Sequence, residues 1–128
     1  MILLLDTSTP MCKLTFVDDQ WRLDDQWEAN RELAKGLLGY IQAQLENNQR
    51  TWADISGIVA FQGPGSFTGL RIGLTVLNTL ADAQHIPIVG ATGENWQTEG
   101  LQRLKQGENN QIVLPEYGAE ARITQPRK

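Results

Sequence analysis

Apolar and polar residues alternate along this chain in several distinct rhythms, and each predicts a different element. Ile2 to Leu5 is an unbroken apolar run, as expected of a strand covered on both faces. Cys12 to Val17 alternates, with Cys12, Leu14 and Phe16 set against Lys13 and Thr15, which predicts a half-exposed strand. Trp21 to Trp27 reads as a third strand. Turns at Asp6-Thr7-Ser8-Thr9-Pro10 and Asp18-Asp19-Gln20 would join the three into an antiparallel meander.

The rhythm then lengthens. Leu33, Leu37, Leu38, Ile41 and Leu45 mark one stripe of a helix predicted over 31–47, with Asn30 as its N-cap. Gly36 and Gly39 interrupt that helix, each costing roughly 1 kcal/mol relative to alanine. They are either merely tolerated or there to admit another helix closely. Thr51-Trp52-Ala53-Asp54 has the form of a capping box, with Asp in place of Glu. Ile58 to Gln62 is strand-like, and a helix over 70–84 follows, with Leu70, Leu74, Leu77, Leu80 and Ala81 inward. Pro87 ends it before a short strand, Ile88-Val89-Gly90. Residues 95–105 predict a further helix and Gly107 to Asn110 a loop. Ile112-Val113-Leu114 is a last strand or an extended docking segment, and 118–128 is a polar tail without period. This order predicts an α/β domain with a mixed five-stranded sheet, arranged as in the ribonuclease H-like half of actin- and hexokinase-type folds.

Composition narrows the classes. At 128 residues with 41% hydrophobic and 20% charged residues, the chain can bury a core. A net charge of −4 makes it a poor binder of nucleic acid on its own, since phosphate contacts dominate that affinity. The single cysteine, Cys12, permits no internal disulfide and fits a reducing compartment. The opening apolar run stops at Asp6 and lacks a basic segment, so neither a leader nor a membrane span is expected. A soluble, cytoplasmic protein is the expectation.

The densest chemistry lies between the strand at 58–62 and the helix after it. Gly63-Pro64-Gly65-Ser66-Phe67-Thr68-Gly69-Leu70-Arg71-Ile72-Gly73 holds four glycines and a proline in eleven residues. Such a junction either presents backbone N–H groups to an anion or lets two backbones pack closely. It is not a P-loop, because the spacing differs and no lysine follows the last glycine. Nor is it G-x-G-x-x-G. Pro64-Gly65 sets a turn, Ser66 or Thr68 can cap the helix, and Gly69 and Gly73 share one face. Arg71 is the only charged residue between Asp54 and Asp82. A cation is unfavourable at a helix start, so an acidic partner is expected, in this chain or another.

The same eleven residues resemble the signature of the TsaB family, the scaffold or dimerisation subunits of the bacterial system that adds threonylcarbamoyl to a tRNA adenosine. Ile2-Leu3-Leu4-Leu5-Asp6-Thr7-Ser8-Thr9, Asp54-Ile55 through Ala60, and Ile86-Pro87-Ile88-Val89-Gly90 resemble further family segments in the same order. The resemblance covers residues 1–95. It implies a TsaB-like first domain over 1–95, with 96–128 a remnant of a second domain plus a tail. Pro115-Glu116-Tyr117 and the ending Arg122 to Lys128 resemble the end of longer members.

The resemblance further implies a catalytically silent partner of a TsaD-like subunit, with no cofactor and no metal. A TsaE-like ATPase would join the assembly, a homodimer would form when the chain is alone, and tRNA would be reached only through the complex. The residues agree on chemistry. His85 is the only histidine, so an H-x-x-x-H metal site is absent. Asp6 and Thr7, at the end of the first strand, could be the relic of a metal–nucleotide site, or Asp6 could simply cap a turn. The family has been labelled a peptidase by homology, yet no nucleophile is spaced with a base. The expected interface is the two helices around the glycine loop, through Leu33, Gly36, Leu37, Gly39, Tyr40, Gly69, Leu70, Arg71, Gly73, Leu74 and Leu77. A stable interface buries roughly 1,600 Å². Arg122, Arg127 and Lys128 would touch tRNA in an assembly or form a solvated tail. Two other readings stand beside this one: a small ATPase or phosphotransferase using Asp6 and the glycine loop, and a stand-alone homodimeric module without a role in tRNA modification.

Overall fold

A computed structural model describes residues 1–116. Five strands, β1 (Ile2–Asp6), β2 (Met11–Val17), β3 (Arg22–Glu28), β4 (Gly57–Gly63) and β5 (Ile88–Thr92), form one mixed sheet in the order β3-β2-β1-β4-β5. The meander β1-β2-β3 is antiparallel, and β1-β4 and β4-β5 are parallel. The three helices are α1 (Leu33–Asn47), α2 (Phe67–Gln84) and α3 (Trp96–Lys105). Among the described residues no helix is long and apolar enough to cross a membrane.

The strand period decides which side chains face which layer. Leu3 and Leu5 of β1, Cys12, Leu14 and Phe16 of β2, and Ile58 and Ala60 of β4 lie in the larger core, with the stripes of α1 and α2 above them. The opposite face carries a smaller cluster of Leu4, Val59 and Val89, covered by Trp96, Leu101 and Leu104 of α3. That cluster does not extend to β3, where Arg22, Asp24, Gln26 and Glu28 are exposed. A helix therefore covers one half of this face and charge the other.

Several boundaries differ from the sequence expectation. Asn30 is not the N-cap of α1. It adopts a left-handed φ of 47° and opens a 3-10 turn, Asn30–Glu32, after both Ala29 and Asn30 donate to the Pro10 carbonyl. The chain is thus pinned to the β1–β2 turn before it can enter a helix. The second helix starts three residues earlier than its leucines suggest, because Ser66 caps it, with the Gly69 N–H donating to Ser66 Oγ at 3.2 Å. The capping box at Thr51 and Asp54 is present, closing the 3-10 turn Trp52–Asp54.

Described residues after 95 pack against the same sheet as those before it. Gly100 of α3 lies so close to Val59 that an added Cβ would collide with it, and Val113 is buried in the larger core. Ile112 to Leu114 is not a strand of the sheet; it is the extended docking segment. Tyr117, Arg122, Arg127 and Lys128 lie outside the described residues, so the tail expectations on them do too.

Candidate functional site

The glycine loop is built onto the end of β1. The Ser66 N–H donates to the Ser8 carbonyl at 2.9 Å, and the Thr7 hydroxyl donates to the Gly69 carbonyl at 2.7 Å. Asp6 Oδ1 accepts the Ser8 N–H at 2.8 Å, the turn-capping role. The glycines are where this junction is tightest. A Cβ on Gly65 would collide with Ser8, one on Gly69 with the Thr7 carbonyl, and one on Gly73 with the Thr7 side chain. Each is glycine because the β1–β2 turn occupies the space a side chain would need.

This geometry bears on the choice between an anion cradle and a packing device. The N–H groups of Ser66, Gly69 and Leu70 are already spent on Ser8, Ser66 Oγ and the Ser66 carbonyl respectively. Thr7 is buried and committed to Gly69. The loop therefore fastens α2 to β1. The peptide bond between Gly63 and Pro64 is cis.

The expected interface residues divide sharply. Leu33, Leu37, Leu70, Leu74 and Leu77 point into the core of the chain itself, with Leu37 and Leu70 at 0% exposure, and are not available to a partner. A leucine stripe on a helix beside a sheet faces the sheet first. Gly69 and Gly73 admit the β1–β2 turn rather than another helix. Gly36 admits the Trp27 ring, whose edge atom would lie 2.8 Å from an added Cβ. Tyr40 is half-buried and turned to β3: its ring lies tilted against Trp27, centroids 5.0 Å apart, and it donates its hydroxyl to Asp25 at 2.5 Å. Burial first, then Asp25, pushes the Tyr40 phenol well above its ordinary range. Gly39 and Arg71 do face outward, and nothing lies within 4 Å of a Cβ built on Gly39.

The outward face of α1 and α2 has its own residues, which the inward stripe conceals. Ala34, Thr68, Arg71, Ile72, Thr75 and Val76 line a groove between the two helices. Leu38, on the same outward side of α1, is 52% exposed. Leu38, counted with the stripe in the sequence, is not part of the buried face, because it lies about 100° around the helix from Leu37. Among the described residues Arg71 has no carboxylate within ion-pair distance.

The remaining reactive groups lie apart from one another. Burial, reinforced by Asp6, pushes the Cys12 thiol up to about 12, so it stays protonated at neutral pH. His85 closes α2 as an exposed residue with a left-handed φ of 56°. Among the described residues no three His, Cys, Asp or Glu side chains converge as a metal site would require.

A sequence model of the family described as TsaD, tRNA N6-adenosine threonylcarbamoyltransferase, matches residues 27–93. That span runs from the end of β3 through the glycine loop to β5. Over 103 residues the chain is 30% identical to the tRNA threonylcarbamoyladenosine biosynthesis protein TsaB of Escherichia coli (strain K12), covering 80% of this chain and 44% of that one. Over 108 residues it is 28% identical to the TsaB protein of Haemophilus influenzae (strain ATCC 51907 / DSM 11121 / KW20 / Rd), covering 84% and 46%. The solved structure of YeaZ from Pseudomonas aeruginosa is similar with a TM-score of 0.68 at 27% identity, covering 83% of this chain and 49% of that one. The chain spans about half the length of the curated relatives it matches.

Proposed function

This chain belongs to the TsaD-like family, on the side of its TsaB members, and we propose that it is a non-catalytic scaffold in tRNA threonylcarbamoyladenosine formation, binding a TsaD-like catalytic subunit through the outward face of α1 and α2. The observation that carries this reading is the division of labour at the glycine loop. The Ser66 N–H and the Thr7 hydroxyl tie the loop to the end of β1, the Gly69 and Leu70 N–H groups close onto Ser66 at the helix's own start, and Arg71 is held outward in an apolar groove with, among the described residues, no carboxylate within ion-pair distance. A guanidinium set among apolar side chains gains most from a carboxylate that meets it there, so the groove suits an acidic side chain from a partner helix. Leu38, Ile72 and Val76 supply the apolar area around that charge.

The sheet order and the placement of the helices support a ribonuclease H-like domain of the actin and hexokinase type. In this reading the TsaD-like subunit carries the catalytic groups, a TsaE-like ATPase joins the same assembly, and tRNA is reached through the complex. When the chain is alone, the same face meets a second copy.

Size-exclusion chromatography with light scattering, on the chain alone and with the TsaD-like protein of the same organism, tests the proposal. A complex or a homodimer is expected; a strict monomer that ignores the catalytic subunit sinks it. Arg71→Glu is expected to weaken that association roughly tenfold or more. It should leave the melting temperature in place, because Arg71 is exposed and, among the described residues, has no ion-pair partner.

A further inference from the structure

Residues after α3 return across the molecule and close the outer edge of β5. The alternation of a strand's backbone sends the groups of Pro87 toward β4, as its carbonyl accepts the Ile58 N–H at 3.0 Å. The groups of Ile88 and Gly90 therefore point away from the sheet. Among the described residues no strand pairs with them, yet all four are satisfied. The Ile88 N–H donates to Asn109 Oδ1 at 3.1 Å, and the Gly90 N–H to Asn110 Oδ1 at 2.9 Å. The Asn110 N–H donates to the Ile88 carbonyl at 2.8 Å, and Arg103 donates to the Gly90 carbonyl. Two asparagine side chains and one arginine imitate a neighbouring strand.

Residues 108–116 are then fastened in three further places. Arg103 pairs with Glu108. Val113 is buried, and Asn78 grips its backbone from both sides, accepting its N–H at 2.8 Å and donating to its carbonyl at 3.0 Å. Gln62 donates to the Leu114 carbonyl through its side chain and accepts the Glu116 N–H through its backbone, both at 2.8 Å. Gly90 lets this segment lie flush, since an added Cβ would come within 2.5 Å of Val113 Cγ1. Ile112 and Leu114 remain 65% and 67% exposed, so the segment is attached by one buried side chain and a set of backbone hydrogen bonds.

We propose that residues 108–116 are a latch over a self-complementary pairing edge, and that the partner β5 fits once the latch lifts is the β5 of a second copy, antiparallel about a twofold axis. The sequence of the edge selects this partner. Ile88–Thr92 itself holds no charged residue and is rich in β-branched and small side chains, so the strands bring no repulsion of their own, and Arg103 of α3 has to leave the Gly90 carbonyl when its partner Glu108 lifts with the segment. An antiparallel pair about a twofold axis uses the same edge of both copies, residue i against j and j against i, which closes the assembly at two. The contact is separate from the α1–α2 face, and neither depends on the other.

The experiment is light scattering of the full chain over a range of concentrations. Asn109→Ala with Asn110→Ala removes both side-chain acceptors from the edge. With native circular dichroism, this variant is expected to form a species of twice the native assembly's mass. That species should grow with concentration and disappear when Thr92→Lys places a charge on the edge. A folded variant that keeps the native mass at every concentration overturns the proposal. A second measurement does not need the double variant to fold. Asn78 grips the segment at Val113, away from the Ile88 and Gly90 hydrogen bonds, so Asn78→Ala is expected to speed amide exchange at Ile88 and Gly90 roughly tenfold, because the latch lifts as a unit. Unchanged exchange at those two amides overturns it as well.

Discussion

β3 and β5 bound the same sheet, yet four of the seven residues of Arg22–Glu28 are charged while Ile88–Thr92 has no charge at all. On β3 the charges sit in the strand. Arg22 pairs with Asp24 at 3.0 Å, Asp24 also accepts the Thr15 hydroxyl at 2.6 Å, and Gln26 and Glu28 stand exposed beside them. A second strand approaching β3 would have to strip water from these groups. On β5 nothing in the strand itself repels a neighbour, and Asn109, Asn110 and Arg103 do the work from outside. Protection by charge is local and present whenever the strand exists. Protection by a docked segment is present only while residues some twenty positions further along the chain are in place.

The contrast can be broken most strongly at Gly90. Gly90→Val would drive a side chain into Gln62 and Val113, and a loss of about 2 kcal/mol in urea unfolding is expected. The matching change on the other edge, Gln26→Val, sits on an exposed position and should stay within about 0.5 kcal/mol. Equal effects at the two edges would erase the distinction.

A smaller effect tests how β3 is held to the helix layer. Tyr40→Phe keeps the ring contact with Trp27 and removes only the hydrogen bond to Asp25, so a loss of about 1 kcal/mol is expected from denaturant curves.

The smallest effect is confined to acid. The hydrogen bond from Arg103, helped by that residue's charge, holds the Glu108 carboxyl below its ordinary value of 4.5. A depressed carboxylate contributes stability above its unfolded pKa and loses it as pH falls through the lower folded value. The native chain and a Glu108→Gln variant should therefore differ slightly in melting temperature at neutral pH and converge as pH drops below about 4.5. A gap that persists in acid would place the effect elsewhere than in the carboxylate.

Much of the fold is legible in the sequence, because burial writes periodicity into each element. The unbroken run of β1, the alternation of β2 and the leucine stripes of α1 and α2 all place themselves. The start of α1 is illegible for a local reason: Asn30 is a common N-cap residue, but its backbone is tied to Pro10, which the sequence does not bring near it. At the site, the glycine loop is legible as a helix start, and what its glycines approach is not. Gly36 and Gly73 have the spacing of a helix contact and in fact admit Trp27 and Thr7. The inward leucines illustrate the same limit. A stripe says that a face is buried without saying by what, and here the sheet of the same chain claims it. The closing of β5 leaves no pattern at all, since side-chain amides meeting backbone groups across twenty residues have no period.

Thr7 has a mechanical consequence. Its hydroxyl holds the Gly69 carbonyl, its backbone leaves no room above Gly69, and its side chain fills the space above Gly73. One residue at the tip of the central strand thus acts as a rivet through the first two turns of α2. A load applied to the exposed side of that helix is passed to the middle of the sheet, not absorbed by a yielding loop, and Arg71 is carried on a rigid mount.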